Sequence, residues 1–268
     1  MSHPLTYFLL FLAALIAGAI NSVAGGGTLL TFPMLLAVLG PAHSVAANAT
    51  STVALVPGSM SAFWGYRAEM QGCGKRDLLW LGVPSLLGGL AGAFLLLHTP
   101  DKAFARLVPW LILGATTLFM LQGVVRRRLG QGQQSDSEET QDPIVRRGLM
   151  GVIVFQFFIA VYGGFFGAGI GILMLAALGF VGFNNIHRMN GLKNFAAVCI
   201  NAVASLTFII GHKVNWPLAL LMMAAAIAGG YGGAGVAQRL GQANVRRLVV
   251  GIGLTIGIVM LYQQIRTL

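Results

Sequence analysis

Three groups of residues in this chain have the types and spacing to hold a ligand. The first is a pair of glycine clusters, Gly25-Gly26-Gly27 before Thr28, and Gly163-Gly164 running on to Gly167-Ala168-Gly169. Each opens a short apolar stretch, and a helix that begins there leaves unpaired N–H groups and the positive end of its dipole facing outward. Such an end suits an anion, and Thr28 adds a hydroxyl. The second is a polar stripe. At 100° per residue Asn48, Thr52 and Ser59 share one helix face, and Asn190, Asn194 and Asn201 repeat it. The third is Lys193, on the edge of the second stripe, where it can compensate a negative charge. For each group a plainer reading stands beside this one. The glycines can serve close helix packing, the amides can be interhelical glue, and Lys193, one turn into its helix, can snorkel to the headgroups.

The elements that must position these residues are membrane helices. The chain has 268 residues, 56% hydrophobic and 9% charged, with a mean hydropathy of +0.79. A soluble domain carries roughly 25% charged residues, so this composition could not wet its own surface. The net charge of +10 does not point to nucleic acid, because the cations lie mostly between long apolar runs, where they orient helices. Cys73 and Cys199 are too few for a disulfide framework and have no CxxC spacing. The expected fold is all-α and polytopic, with ten membrane segments at 5–20, 28–39, 44–65, 78–97, 104–125, 148–165, 169–182, 190–212, 216–236 and 245–265. Eight are long enough to cross. Segments 28–39 and 169–182 have the length of broken or re-entrant pieces. The apolar start resembles a signal peptide but lacks a positive n-region, and it is expected to stay as a helix.

The chain repeats. At an offset of 142 residues Gly25 falls on Gly167, Gly27 on Gly169, Asn48 on Asn190, Thr52 on Asn194 and Ser59 on Asn201; Lys193 falls on Ser51. After one slip the offset is 141, with Gly88-Gly89 on Gly229-Gly230 and Arg106-Leu107-Val108 on Arg247-Leu248-Val249. This divides the chain into a first repeat at 1–125, a polar linker at 126–147 and a second repeat at 148–268. The linker holds five arginines and four of the seven acids, and it reads as disordered. Five segments per copy is odd, so if all cross, the second copy is inverted. With the linker cytoplasmic, twelve cations fall inside against Lys102, Lys213 and Arg266 outside. If the short segments re-enter instead, that bias largely disappears. Inverted repeats with broken helices place the substrate near the midplane where the breaks meet.

The absences narrow the class. All seven acids lie in loops, so no membrane segment carries the carboxylate usual in proton relays and cation sites. A metal-cation carrier is disfavoured, and no metal site is expected. His43 and His187 read as interfacial loop residues. No HExxH zinc pattern, paired carboxylates or ATP-binding signature is present. The expectation is a carrier and not an enzyme, without a cofactor.

Over nearly all of its length outside the linker, the chain resembles the TauE/SafE family of sulfite exporters. The match runs through Asn21-Ser22-Val23-Ala24-Gly25-Gly26-Gly27-Thr28, Ala47-Asn48-Ala49-Thr50-Ser51-Thr52 and Pro57-Gly58-Ser59 in the first copy. In the second it runs through Tyr162-Gly163-Gly164-Phe165-Phe166-Gly167-Ala168-Gly169, Asn190-Gly191-Leu192-Lys193-Asn194 and Asn201. The resemblance implies a multi-pass plasma-membrane carrier of a small organosulfur or related anion such as sulfite, a sulfonate or sulfoacetate. The expected binding residues in the first copy are Asn21, Gly26, Gly27, Thr28, Asn48, Ser51 and Thr52. In the second they are Gly169, Asn190, Lys193, Asn194 and Asn201. The expected partners are the anion and the lipid bilayer, with no nucleic acid. A coupling ion (H+ or Na+), the oligomeric state and the direction of transport are not legible. A passive anion channel, or a carrier of a metal cation or a carboxylate, is the competing reading.

Overall fold

A computed structural model describes residues 3–23, 25–65, 67, 74–128, 143–181, 186–240 and 242–266. Among them the secondary structure is helical, without a strand. The helices are α1 (His3–Val23), α2 (Thr28–Leu39), α3 (Ser44–Gly65), α4 (Lys75–Leu97) and α5 (Asp101–Arg128), followed by α6 (Pro143–Phe165), α7 (Ile170–Val181), α8 (Ile186–Ile210), α9 (Trp216–Leu240) and α10 (Gln242–Arg266). The ten expected segments each have their helix, and 28–39 and 44–65 coincide with α2 and α3. Five spans are long and apolar enough to cross a membrane alone: Pro4–Asn21, Lys75–Leu97, Asp101–Leu121, Arg188–Ile210 and Val249–Arg266. A sixth arises if α2 and the following helix, bent by 119° at Gly40, count as one broken span. Met150–Phe165, Ile170–Gly179 and Trp216–Gly232 are shorter apolar stretches. The flanks of the expected linker are helical: α5 continues to Arg128 and α6 begins at Pro143. A helix whose apolar part is already formed adds residues at one hydrogen bond each, which carries both helices into the polar flank. Residues 129–142 of the expected linker, and Cys73, lie outside the described residues.

Helix ends are tied by their own sequence signals. Asp77, in the first turn of α4, accepts the Gly74 N–H at 3.2 Å. Asn215 accepts the Leu218 N–H at 3.3 Å and so caps α9. Asp101, at the start of α5, accepts the Val45 N–H at 2.8 Å, which satisfies a first-turn donor of α3. Two bonds join ends from the two halves of the chain. Arg188 pairs with Asp77 at 3.4 Å, linking the starts of α8 and α4. The Asn215 N–H donates to Thr50 Oγ1 at 3.0 Å, linking the start of α9 to the first turns of α3.

The halves are interleaved. α1 packs on α9 and α4 on α6; α3 packs on α9 and α4 on α8; α5 lies on α10 and α3 on α8. Exchanging each helix for the one five places later reproduces the same set of pairings. The correspondence reaches single residues. Gly88 lies against the Phe157 carbonyl, and Gly229 against the Leu15 carbonyl. Gly89 meets Ile200 and Val203, and Gly230 meets Gly58 and Ser61. These neighbours are themselves 142 residues apart. A Cβ at any of these four positions would collide, so the glycines let helices approach as small residues do in membranes. Along α3 and α9 the contacts climb together, from Thr50 with Asn215 to Gly58 with Ala226 and Ser61 with Gly230. Along α4 and α8 they climb from Asp77 with Arg188 to Gly82 with Phe195 and Gly89 with Ile200. Each pair therefore runs parallel.

The outer surface is apolar. Leu79, Val83, Leu86, Leu87, Leu90 and Phe94 of α4 are all exposed, a stripe that hydrocarbon can cover and water would not. At helix ends Arg67 stacks over Trp64 at 4.9 Å and Arg266 over Tyr262 at 4.7 Å, a pairing suited to the headgroup layer.

Candidate functional site

The two glycine breaks are built alike. α1 ends when Gly25 takes a left-handed turn (φ +75°) and its N–H reaches back to the Ile20 carbonyl at 3.2 Å. α6 ends the same way: Gly167 (φ +81°) returns its N–H to the Tyr162 carbonyl at 3.2 Å. This is the glycine-terminated helix end, which an L side chain would strain by about 1–2 kcal/mol. The chain then restarts as the 12-residue helices α2 and α7. Different side chains brace the breaks. Asn21 Oδ1 accepts the Gly27 N–H at 2.8 Å, while the Tyr162 hydroxyl donates to the Ala168 carbonyl at 2.8 Å. The breaks face each other across the molecule. A Cβ on Gly25 would sit 3.0 Å from Cα of Gly171, and one on Gly167 would sit 3.9 Å from Thr28 Oγ1.

Between them lies a cavity of about 30 Å³, on a scale where one water needs roughly 10–15 Å³. It accommodates a compact group of few heavy atoms and not a long chain. Its wall is close to self-symmetric. Gly25 and Gly167, Thr28 and Ile170, Thr52 and Asn194, Leu55 and Ala197, and Ser59 and Asn201 all line it, each pair 142 residues apart. Asn21, Gly171 and Lys193 complete the wall, and their repeat positions are Gly163, Leu29 and Ser51. The departures from symmetry thus bring in the charged residue of the wall, Lys193. Lys193 is 1% exposed, a buried cation and not a snorkelling one. Beside it, Asn194 is 4% exposed and its Nδ2 has no hydrogen-bond partner. An unpaired buried amide donor costs about 1–3 kcal/mol, an arrangement that a bound acceptor would relieve.

Six of the twelve expected binding residues form this wall: Asn21, Thr28, Thr52, Lys193, Asn194 and Asn201. The other six lie behind it. Asn48 Nδ2 donates to the Phe165 carbonyl at 3.1 Å, so the first copy's α3 caps the last turn of the second copy's α6. Ser51 shares a hydroxyl bond of 2.6 Å with Thr31, joining α3 to α2 at the level where the second copy has Lys193. Gly26 is pressed against the Phe119 ring and Gly27 against the Ala17 backbone, while Gly169 is left-handed (φ +78°) and only touches Ala115. Asn190 is buried, with its Oδ1 unpartnered. His43 is exposed in the short turn between α2 and α3, its Nδ1 3.1 Å from the Leu39 carbonyl; the side chain of His187 lies outside the described residues. Three contributors, Leu55, Ala197 and Tyr162, were not among the expected binding residues. Leu55 and Ala197 sit inside the polar stripe but are apolar, though extending the stripe by one helical turn would find both. Tyr162, a hydroxyl-bearing residue directly before Gly163-Gly164, carries a signal in its position at the break. Among the described residues no cluster of three or more His, Cys, Asp or Glu side chains could hold a metal ion.

Known proteins similar to this chain agree on its class. The family described as sulfite exporter TauE/SafE matches residues 10–260. A "Probable membrane transporter protein" of Haemophilus influenzae is 28% identical over 264 residues, covering 96% of this chain and 94% of the relative. The "Probable membrane transporter protein YfcA" of Escherichia coli K12 is 28% identical over 265 residues, covering 98% and 92%. The "Probable membrane transporter protein ORF9" of a Sinorhizobium species is 27% identical, covering 93% and 90%. No solved structure matches the chain.

Proposed function

The chain belongs to the sulfite exporter TauE/SafE family, a family of membrane transporters, and from that membership we propose that it carries a small oxyanion across the plasma membrane at the cavity between its two breaks. The observation that carries the reading is Lys193, fully buried in the wall of that cavity beside the unpaired Asn194 amide. A buried cation in a low-dielectric site is costly, and a bound anion would offset part of that cost. Asn21, Asn201 and Thr28 would complete the hydrogen bonds. The family's description supports an organosulfur or related anion such as sulfite or a sulfonate.

The mechanism proposed is alternating access between two inverted five-helix halves. α3 and α9 run parallel, and α4 and α8 do too. Phe63, near the end of α3, meets Phe195, in the first half of α8, with ring centroids 5.9 Å apart, so α3 and α8, the third helices of the two copies, point in opposite directions. That supports inversion. Two re-entrant hairpins would leave the copies in the same orientation, with α3 antiparallel to α9. With the linker cytoplasmic, Asp77 and Arg188 fall inside, and Thr50 and Asn215 towards the outer face. The small cavity suits an occluded state, and motion of one half against the other would open it to either side.

Uptake of radiolabelled sulfite into proteoliposomes tests the reading. The wild type should accumulate or equilibrate the anion, and Lys193→Ala and Asn194→Ala should lose most of that flux. Unchanged anion flux in both variants would remove the site.

A further inference from the structure

The walls of the cavity differ in which hydrogen-bonding role they have left. On α3 the Thr52 hydroxyl donates to the Asn48 carbonyl at 2.9 Å and the Ser59 hydroxyl to the Leu55 carbonyl at 3.1 Å. Both protons are committed to their own helix, so both oxygens present lone pairs. At the equivalent places α8 presents amides, Asn194 with its unpartnered Nδ2 and Asn201, next to the Lys193 ammonium. The α3 wall offers acceptors, and the α8 wall holds the unpaired Asn194 donor. A hydroxyl on α3 could swing its proton to the ligand only by releasing its carbonyl, at a cost near that of one hydrogen bond. A ligand whose whole surface is acceptor therefore meets repulsion on α3, whereas one that also carries a proton donor meets a partner.

We infer that the site selects a compact monoanion that bears an O–H or N–H donor as well as its oxyanion oxygens, over an anion of the same size that has acceptors alone. The selection rests on the anion reading above and adds to it a polarity, with the oxyanion end on α8 and the donor end on Thr52 and Ser59. Ligands of this description include a hydrogen-bearing inorganic oxyanion and a sulfonate with a neighbouring hydroxyl.

A matched pair of sulfonates isolates the feature. Hydroxymethanesulfonate and methanesulfonate share the oxyanion and the charge and differ by one hydroxyl. Binding of each to the purified full-length protein is measured by thermal shift and by competition against sulfite. Hydroxymethanesulfonate should bind about tenfold more tightly, the ratio expected for one additional buried hydrogen bond. In the T52V/S59A double variant that ratio should fall to about one. The wild-type ratio alone decides the matter if the double variant does not fold. Equal binding of both sulfonates by the wild type overturns the inferred polarity and leaves the anion reading standing. Binding of neither sulfonate nor sulfite by folded protein overturns the anion reading, and the polarity with it.

Discussion

Gly25 and Gly171 touch backbone to backbone: a methyl group on Gly25 would stand 3.0 Å from the Gly171 Cα. The first residue terminates α1 at the break before α2 and the second lies in the first turn of α7, so this contact joins the two copies at the cavity. Gly25 is also left-handed, at φ +75°. Alanine there should suffer twice, from roughly 1–2 kcal/mol of backbone strain and from the collision. Gly25→Ala should lower the melting midpoint in detergent by roughly 3 °C or more. Gly114→Ala, where nothing lies within 4 Å of the new Cβ, should leave it within about a degree. Equal midpoints for the two would mean the breaks do not meet.

Lys193 separates a binding role from a structural one. Removing a buried charge that serves only the fold leaves its partners exposed to the loss, whereas removing one held for a ligand relieves a desolvation penalty. Lys193→Met, which keeps most of the volume, should hold or raise the melting midpoint and reduce sulfite flux by at least about tenfold. Ser51→Ala, at the equivalent place in the first copy, should do the opposite in kind. It breaks the 2.6 Å bond to Thr31, costing about 1 kcal/mol of stability, with little effect on apparent affinity. A Lys193→Met protein with normal flux would return this lysine to a packing role.

The inverted arrangement predicts sidedness. Lys75 and Lys213 are both exposed, and they sit next to ends that the Asp77–Arg188 and Thr50–Asn215 bonds assign to opposite faces. In a background without Cys73 and Cys199, a cysteine at position 75 should react with a membrane-impermeant maleimide only from the cytoplasmic side. One at position 213 should react only from the outside. Labelling of both from one side is the result that parallel copies would give.

How much of this was legible in the sequence depended on what each feature answers to. The short helices α2 and α7 were visible because a membrane helix must be long, and 12 apolar residues after a glycine cluster break that rule. The offset of 142 carried the pairing of Thr52 with Asn194 and of Ser59 with Asn201, and both pairs line one cavity. Periodicity could not say which polar residues on a shared face reach the ligand. Asn48 and Asn190 belong to the same stripe as Asn194, yet Asn48 spends its amide on the Phe165 carbonyl across the copy boundary. That choice is made by tertiary packing, on a carbonyl freed by a helix end 117 residues away. The glycines divide similarly. Gly25, Gly167 and Gly169 take left-handed turns, while Gly26 and Gly27 are small because Phe119 and Ala17 press on them.

Asn48 and Asn194 supply the sharpest comparison, because the same substitution should move different quantities. Asn48 is 0% exposed and its Nδ2 holds the last turn of α6 at Phe165. Asn48→Leu leaves that carbonyl without its side-chain partner, and an unmade buried hydrogen bond costs about 1–3 kcal/mol. The melting midpoint should fall by several degrees, and the break at Gly167 should loosen. Asn194→Leu removes an amide whose Nδ2 has no partner to lose. The stability should hold within about 1 kcal/mol or improve, since an apolar group replaces an unsatisfied donor. Sulfite affinity should instead drop about tenfold, the equivalent of roughly 1.4 kcal/mol. Melting curves with and without sulfite read both quantities on one sample. If Asn194→Leu destabilised the empty protein and left the sulfite-induced shift intact, the orphaned amide would be interhelical glue, and the oxyanion would have to be held elsewhere in the cavity.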